Sequence, residues 1–282
     1  MRQKRANYKG IYLSEVWESV RQHRPLVYHI TNMVAANFQA NVCLAAGASP
    51  LMSLKTEEAP LFADQADSIL INTGTPTTES CDSMRAVLPV IKKRGKPLVL
   101  DPVGYGASPF RISIVKEILE SNVVSVVKGN RGEMSLLGEE KGAVLGVDSL
   151  GSDNIERALL HIASSYDVVA VATGEDDMVV TKSSPFLLSL PGGNSLFPQV
   201  TASGCVVGTL IAACAAVTAD FELAATTALV AATLASERAS QRGNVEGPAS
   251  FQNAFIDEIY HLSPGAFSEY DERFVCKEVE ER

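Results

Sequence analysis

The chain has 282 residues, 46% of them hydrophobic, and a net charge of −9, enough for one large α/β domain or two small ones. The acidic balance speaks against a nucleic-acid surface, which needs clustered Lys and Arg; the one basic cluster, Arg2, Lys4, Arg5 and Lys9, reads as a solvated tail. No composition shift or Pro/Ser-rich linker divides the chain, so a single domain over 1–282 is expected, with its core at about 12–262 and the ends 1–11 and 263–282 peripheral.

In chain order, MRQKRANYKGIY lacks the apolar centre of a signal peptide. Five short β-branched runs then recur: 26–31, 68–74, 97–104, 123–130 and 167–174. Each is a near-continuous apolar stretch closed by polar or turn-forming residues, as in parallel strands covered on both faces. Helical patterns lie between and around them at 34–46, 56–66, 78–94, 109–120, 131–139 and 153–165. The alternation predicts βαβ units and a doubly wound, mostly parallel sheet with helices on both faces. The stretch 178–190 reads as an antiparallel edge hairpin turning at Ser183-Ser184-Pro185. The apolar run 205–219 is shorter than a membrane span and is interrupted beyond by Asp220 and Glu222, so it reads as a helix buried on all sides, with 223–235 a second beside it. The end from Ser263 reads as a peripheral helix or frayed tail.

The cysteines are Cys43, Cys81, Cys205, Cys214 and Cys276, an odd number without C-x-x-C spacing. Disulfide scaffolds and zinc ribbons are not expected, and a reducing cytoplasm fits.

Open α/β sheets bind ligands beyond the carboxyl ends of their strands. The polar residues closing these strands, Asn32, Asn72, Asp101, Lys128, Asn130 and Thr173, are therefore the candidates. No Walker A or dinucleotide glycine pattern occurs. Thr201-Ala202-Ser203-Gly204-Cys205 reads two ways: a plain helix start capped by Ser203, or a turn whose bare N–H groups and helix dipole bind phosphate. In KGNRGEM, Glu133 stands three residues past Asn130; it completes a capping box or supplies a carboxylate to Mg²⁺. In LDPVGYGAS, Asp101 caps a turn or is a second acidic group near the metal. Glu175, Asp176 and Asp177 read as an exposed turn. Together, a helix start, two carboxylates, a cation and a hydroxyl are the parts phosphoryl transfer uses.

The chain resembles the hydroxyethylthiazole kinase family within the ribokinase-like superfamily. PLVYHITNMVAANFQANVCLAAGASPLM (25–52), LDPVGYGASPFR, VVKGNRGE, VATGEDD, VTASGC and GPASF carry the resemblance, in the family's order. It implies transfer of the ATP γ-phosphate, with Mg²⁺, to the primary alcohol of 4-methyl-5-(2-hydroxyethyl)thiazole. It also implies a homotrimer with sites at subunit boundaries. By matching position, Met52 and Ala202 contact substrate, Asn32 and Thr173 the nucleotide phosphates, and Lys128 ATP; Asp101 and Glu133 are metal-linked, and Cys205 is catalytic.

Three departures stand out. Lys128 replaces a common Arg and lacks its bidentate fork. Ala202 stands where the family has Gly. Tyr28 stands where the family has His, with His29 one place on and facing the other way. No histidine is expected to be catalytic. The expected arrangement places the alcohol between Cys205 and the γ-phosphate, above the N–H groups of Ser203, Gly204 and Cys205, with Cys205 a modest base. The alternatives are hydroxymethylpyrimidine kinase, a nucleotide-dependent hydrate dehydratase, or a binding protein without turnover.

Overall fold

The computed structural model describes residues 9–139, 152–183 and 186–278. Helix α1 (Gly10–His23) leads into strands β1 (Leu26–Ile30), β2 (Ser49–Met52), β3 (Ser68–Asn72), β4 (Leu98–Asp101), β5 (Val126–Asn130) and β6 (Val169–Thr173). Between these lie α2 (Ala36–Ala46), α3 (Ala59–Gln65), α4 (Thr78–Arg94), α5 (Pro109–Glu120), α6 (Arg131–Gly138) and α7 (Ser152–Tyr166). The rest comprises β7 (Asp176–Val180), β8 (Phe186–Pro191), α8 (Ser203–Ala215), α9 (Phe221–Gln241), α10 (Pro248–His261) and β9 (Val275–Glu278).

The nine strands form one sheet in the order β2-β1-β3-β4-β5-β6-β7-β8-β9. The first six run parallel, and β7, β8 and β9 are added antiparallel. Alternation along each strand builds two cores. Val27, Leu70, Val99 and Val126 face one core, shared with α1, α2, α8, α9 and α10. Ile30, Ile69, Ile71, Leu100 and Val127 face the other, shared with α4, α5 and α7. Helix boundaries follow local chemistry. Thr77 accepts from the Ser80 N–H to start α4, and Ser108 from the Arg111 N–H, with Pro109 next, to start α5. Gly47 and Gly95 close α2 and α4 at φ 97° and 64°, where a side chain would be strained.

Every residue of α8 except Gly204 is buried, as its uniformly apolar sequence predicts. Among the described residues no helix is long and apolar enough to cross a membrane. Five elements differ from the sequence reading. Helices α1 and α10 were not expected, although Leu13, Val16, Trp17 and Val20 of α1 form a buried stripe at helical spacing. Strand β2 is short, half-exposed and holds Pro50, which is tolerated at a sheet edge. The expected peripheral helix or frayed tail from Ser263 is corrected: Pro264–Tyr270 is a 3₁₀ helix whose Phe267 and Tyr270 are fully buried, and β9 extends the sheet. Nor is the other end peripheral from residue 10 onward. The Gly10 N–H donates to Asp271, and the Trp17 indole donates to Leu262 O at 3.1 Å. Strands β7 and β8 form the expected hairpin, but Ser184 and Pro185 of its turn lie outside the described residues.

Candidate active site

Register and pleat bring the polar strand ends together. Asn72 pairs with Asp101, and Lys128 lies one position beyond the Leu100–Val127 pair. Each is two residues past a side chain of the α8 core, namely Leu70, Val99 and Val126, so all three point toward the start of α8. There the Asn72 amide bridges, donating to Asp101 Oδ2 at 2.8 Å and to Cys205 Sγ at 3.3 Å. Its Oδ1 accepts from Asn32 Nδ2 at 2.8 Å and from the Gly74 N–H at 2.9 Å. Lys128 Nζ donates to Gly204 O at 2.9 Å and to Asp101 Oδ1 at 3.4 Å. Gln39 Nε2 donates to Cys205 O at 3.0 Å, while its Oε1 accepts from Thr31.

Ala202, not Ser203, is the residue before α8, and it sits in the left-handed region at φ 67°. The expected Ser203 cap is therefore absent, and the Ser203 N–H is not bare: it donates to Val200 O at 3.2 Å. The N–H groups of Gly204 and Cys205 have no acceptor among the described residues. Two amides, rather than three, point out of the helix start, over the buried Lys128 ammonium.

Burial sets the ionisation. It pushes the Asp101 carboxyl up to about 6, against Lys128 and with help from Glu133. Burial alone would lower the Lys128 ammonium, but Asp101, Cys205 and Glu133 hold it above its ordinary value. The Cys205 thiol rises to about 11, from burial first and then Asp101; Lys128 and the Asn72 hydrogen bond oppose the rise only in part. His29 is buried, donates from Nδ1 to Val27 O at 3.0 Å, and is pushed down by burial to about 4, so it is neutral.

Glu133 completes a capping box with Asn130: its N–H donates to Asn130 Oδ1 and its Oε2 accepts from the Asn130 N–H, both at 2.9 Å. Its Oε1 also accepts from the Gly104 N–H at 2.8 Å, tying the turn after Asp101 to α6. Gly104 adopts φ 72°, which suits only glycine. Thr173 ends β6 and donates to Gly129 O at 3.3 Å. With Ser203, Gly204, Gly193, Phe197 and Ser236 it lines a 760 Å³ cavity opening from the helix start toward α9. A second cavity of 980 Å³ lies at the opposite ends of the strands, beside Lys92, Asn122 and Asp167, and no expected site residue lines it.

Asp101, Lys128, Gly204 and Cys205 thus meet in one cluster, with Asn32 joined through Asn72. Ala202 and Ser203 form its rim. Met52 stands apart, half-buried at the end of edge strand β2, opposite His29. Sequence reasoning named Asn72 only as a strand-closing residue and passed over Gln39. It also took Asp177 for an exposed turn residue. Asp177 instead lines the cavity, accepts from the Gly174 N–H at 3.0 Å, and is pushed by burial to about 7. Its position at the start of a strand was the available signal; nothing distinguishes Gln39 from other helix glutamines.

A family model described as the Hydroxyethylthiazole kinase family matches residues 17–265. A hydroxyethylthiazole kinase of Thermoanaerobacter pseudethanolicus is 38% identical over 251 residues, covering 89% of this chain and 94% of that one. The structure of a hydroxyethylthiazole kinase from Pyrococcus horikoshii OT3 superposes with a TM-score of 0.84 at 35% identity, over 95% of this chain and 99% of the other. A ribokinase-like superfamily protein from Enterococcus faecalis V583, 16% identical, shares the fold at a TM-score of 0.58 over 85% of this chain and 87% of its own.

Proposed function

The chain belongs to the hydroxyethylthiazole kinase family and is a kinase that phosphorylates hydroxyethylthiazole in thiamin salvage; from that premise we propose that ATP is the donor and that the transfer takes place over the first turn of α8. The observation that carries this reading is the pair of unbonded amides at Gly204 and Cys205, aligned with the dipole of a buried helix whose first turn lines the 760 Å³ cavity through Ser203, Gly204 and Val207. The triphosphate lies along Thr173 and Ser203, with its terminal phosphate on those amides. Lys128 adds charge from below. Because it is tied to Asp101 and Gly204 O, it acts as a fixed field and not as a fork gripping phosphate.

The thiazole lies between Met52 and Cys205. Met52 is two strands from β3, about 10 Å across at ordinary strand spacing, enough for one five-membered ring. Its primary hydroxyl then faces the phosphorus in line with the departing ADP oxygen. The O–P bond to the thiazole alcohol forms as the bond to the bridging oxygen breaks. With its thiol at about 11, Cys205 is overwhelmingly the neutral thiol at pH 7, so it mainly holds the alcohol; the alcohol proton passes to a phosphate oxygen as the ester forms, and only the minor thiolate form takes it as a base. Most of the acceleration comes from the amides.

Asp101 and Glu133 fit Mg²⁺ as one or two carboxylates do when waters and phosphate oxygens complete the shell. Glu133 raises the Asp101 pKa, so the two acids are near enough to repel, and a cation would relieve that repulsion. Among the described residues no group of three His, Cys, Asp or Glu could hold the ion alone. When bound, Mg²⁺ neutralises phosphate charge; Asp101 and Glu133 would hold it. We place the enzyme in the cytoplasm as a homotrimer whose neighbouring subunit closes the thiazole site. The outermost position of β2 among the described strands and the exposed Met33, Val34 and Leu44 support the oligomer.

The test is incubation with the thiazole alcohol, ATP and Mg²⁺, with the product weighed by mass spectrometry. A phosphate ester of the thiazole is the expected product. Turnover of a hydroxymethylpyrimidine instead, or ATP consumed without esterification, would sink the reading. Light scattering should give three times the 30.1 kDa chain mass.

A further inference from the structure

The far wall of the 760 Å³ cavity includes Gly192 and Gly193, a turn that follows β8 and has no regular structure of its own. It is held from behind by residues of the carboxy-terminal segment. Arg273 Nη2 donates to Pro191 O at 3.1 Å and to Glu237 Oε1 at 2.5 Å, and its Nη1 donates to Glu237 Oε2 at 2.9 Å. The Tyr270 hydroxyl donates to the same Pro191 carbonyl. Glu237, on α9, accepts in turn from the Gly193 N–H at 3.0 Å. The Arg273 guanidinium stacks 4.3 Å from the centre of the Tyr270 ring. Burial would raise the Glu237 carboxyl, but Arg273 and the Gly193 N–H outweigh it and hold it ionised. Gly192 has φ 131°, and a Cβ there would stand 2.0 Å from Arg273 Nη2, so the guanidinium reaches the turn only because residue 192 is glycine. Thr233 and Ser236, four residues and one residue before Glu237 on α9, line the cavity on the other side of the same network.

We propose that the carboxy-terminal segment is a latch for the nucleotide: Arg273 and Tyr270, acting through Pro191 O and Glu237, are positioning residues that hold the 191–193 turn in the shape the nucleotide binds. Neither residue touches the reacting atoms. The matched family region ends at residue 265, so the latch lies beyond it. The inference rests on reading this cavity as the nucleotide site. It follows that loosening the latch weakens ATP binding and leaves the thiazole site, on the far side of Cys205, as it is.

The experiment compares the full-length protein with Arg273→Ala, Arg273→Lys and Tyr270→Phe, each first checked for folding by its thermal melt. Read-outs are the ATP dissociation constant by calorimetry, the KM for each substrate, and hydrogen exchange of amides 192–195. Arg273→Ala should weaken ATP binding about tenfold, the loss expected for charge-assisted hydrogen bonds. It should speed exchange at Gly193 and leave the KM for the thiazole alcohol unchanged. Tyr270→Phe and Arg273→Lys, which keep the ring and the charge respectively, should each give roughly a threefold loss. ATP affinity within twofold of wild type in all three folded variants overturns the latch. A uniform rise in both KM values also overturns it, because a merely structural role would act on both sites. If ATP protects none of amides 192–195 in the wild type, the nucleotide reading itself fails, and the latch falls with it.

Discussion

Ala202 holds a left-handed backbone at φ 67°, where its methyl group is strained by about 1 kcal/mol. Ala202→Gly should therefore raise stability by about that amount in a denaturant titration, with turnover kept or improved. Asn72 is more exacting. It serves Asn32, Gly74, Asp101 and Cys205 at once, so Asn72→Ala leaves several buried groups unpaired and should cost at least about 2 kcal/mol. Cys205 gives a pH signature. Its folded pKa of about 11 lies above the ordinary thiol value, so the neutral thiol is the form the fold favours. That contribution is complete below about 8.5 and is lost as pH rises toward 11. Alkylation mapped to Cys205 should climb about tenfold per pH unit from 7 to 10 without levelling. A plateau near pH 8 would mean the helix dipole wins over burial. Residue identities at this scale were readable in part. Asp101 and Lys128 stand out because each closes an apolar run, and Cys205 because it opens one. The strain at Ala202 and the bridging by Asn72 are not readable, since backbone angles and hydrogen-bond partners depend on neighbours distant in the chain.

Helix α8 separates packing from chemistry at two glycines one turn apart. A Cβ on Gly204 would meet only Lys128 Nζ, at 3.5 Å, an ordinary contact. Gly204→Val should keep the melting temperature and lose turnover, because the added methyls occupy the phosphate position. Cys205→Ser should retain measurable turnover, and the opposite order of damage would reassign the main catalytic effect from the amides to the thiol. A Cβ on Gly208 would instead lie 3.3 Å from Leu70 Cδ1 and 3.6 Å from Asp101 Oδ2. Gly208→Val should destabilise by about 1–3 kcal/mol through overpacking. Elements with unbroken apolar runs, such as β3, β4 and α8, announce themselves because burial on both faces leaves no polar alternation. Strand β2 does not: its Pro50 and half-exposed side chains look like a loop until β1 pairs with it.

At the scale of the whole molecule, the ends of the described chain belong to the core. Phe267 and Tyr270 are fully buried, Phe267 against Trp17 of α1, and β9 pairs with β8 through Ser189, Leu188, Leu187 and Phe186. Phe267→Ala should cost about 3–5 kcal/mol by chemical denaturation, as other buried phenylalanines do. A loss under 1 kcal/mol would restore the segment to the periphery. Charge made this end look like a tail, because acidic residues alternate with the few aromatics that anchor it. The hydrogen bond from the Gly10 N–H to Asp271 has a wider implication. The start of α1 and the 3₁₀ segment near the other end are in contact, so a linker peptide joining the two ends, with fresh termini cut after the exposed Gly95, makes a test of that proximity. Such a circular permutant would carry Asn72 near its finish and Asp101 near its outset, yet should still esterify its alcohol, since what the reaction requires is adjacency across a sheet and not succession along a gene.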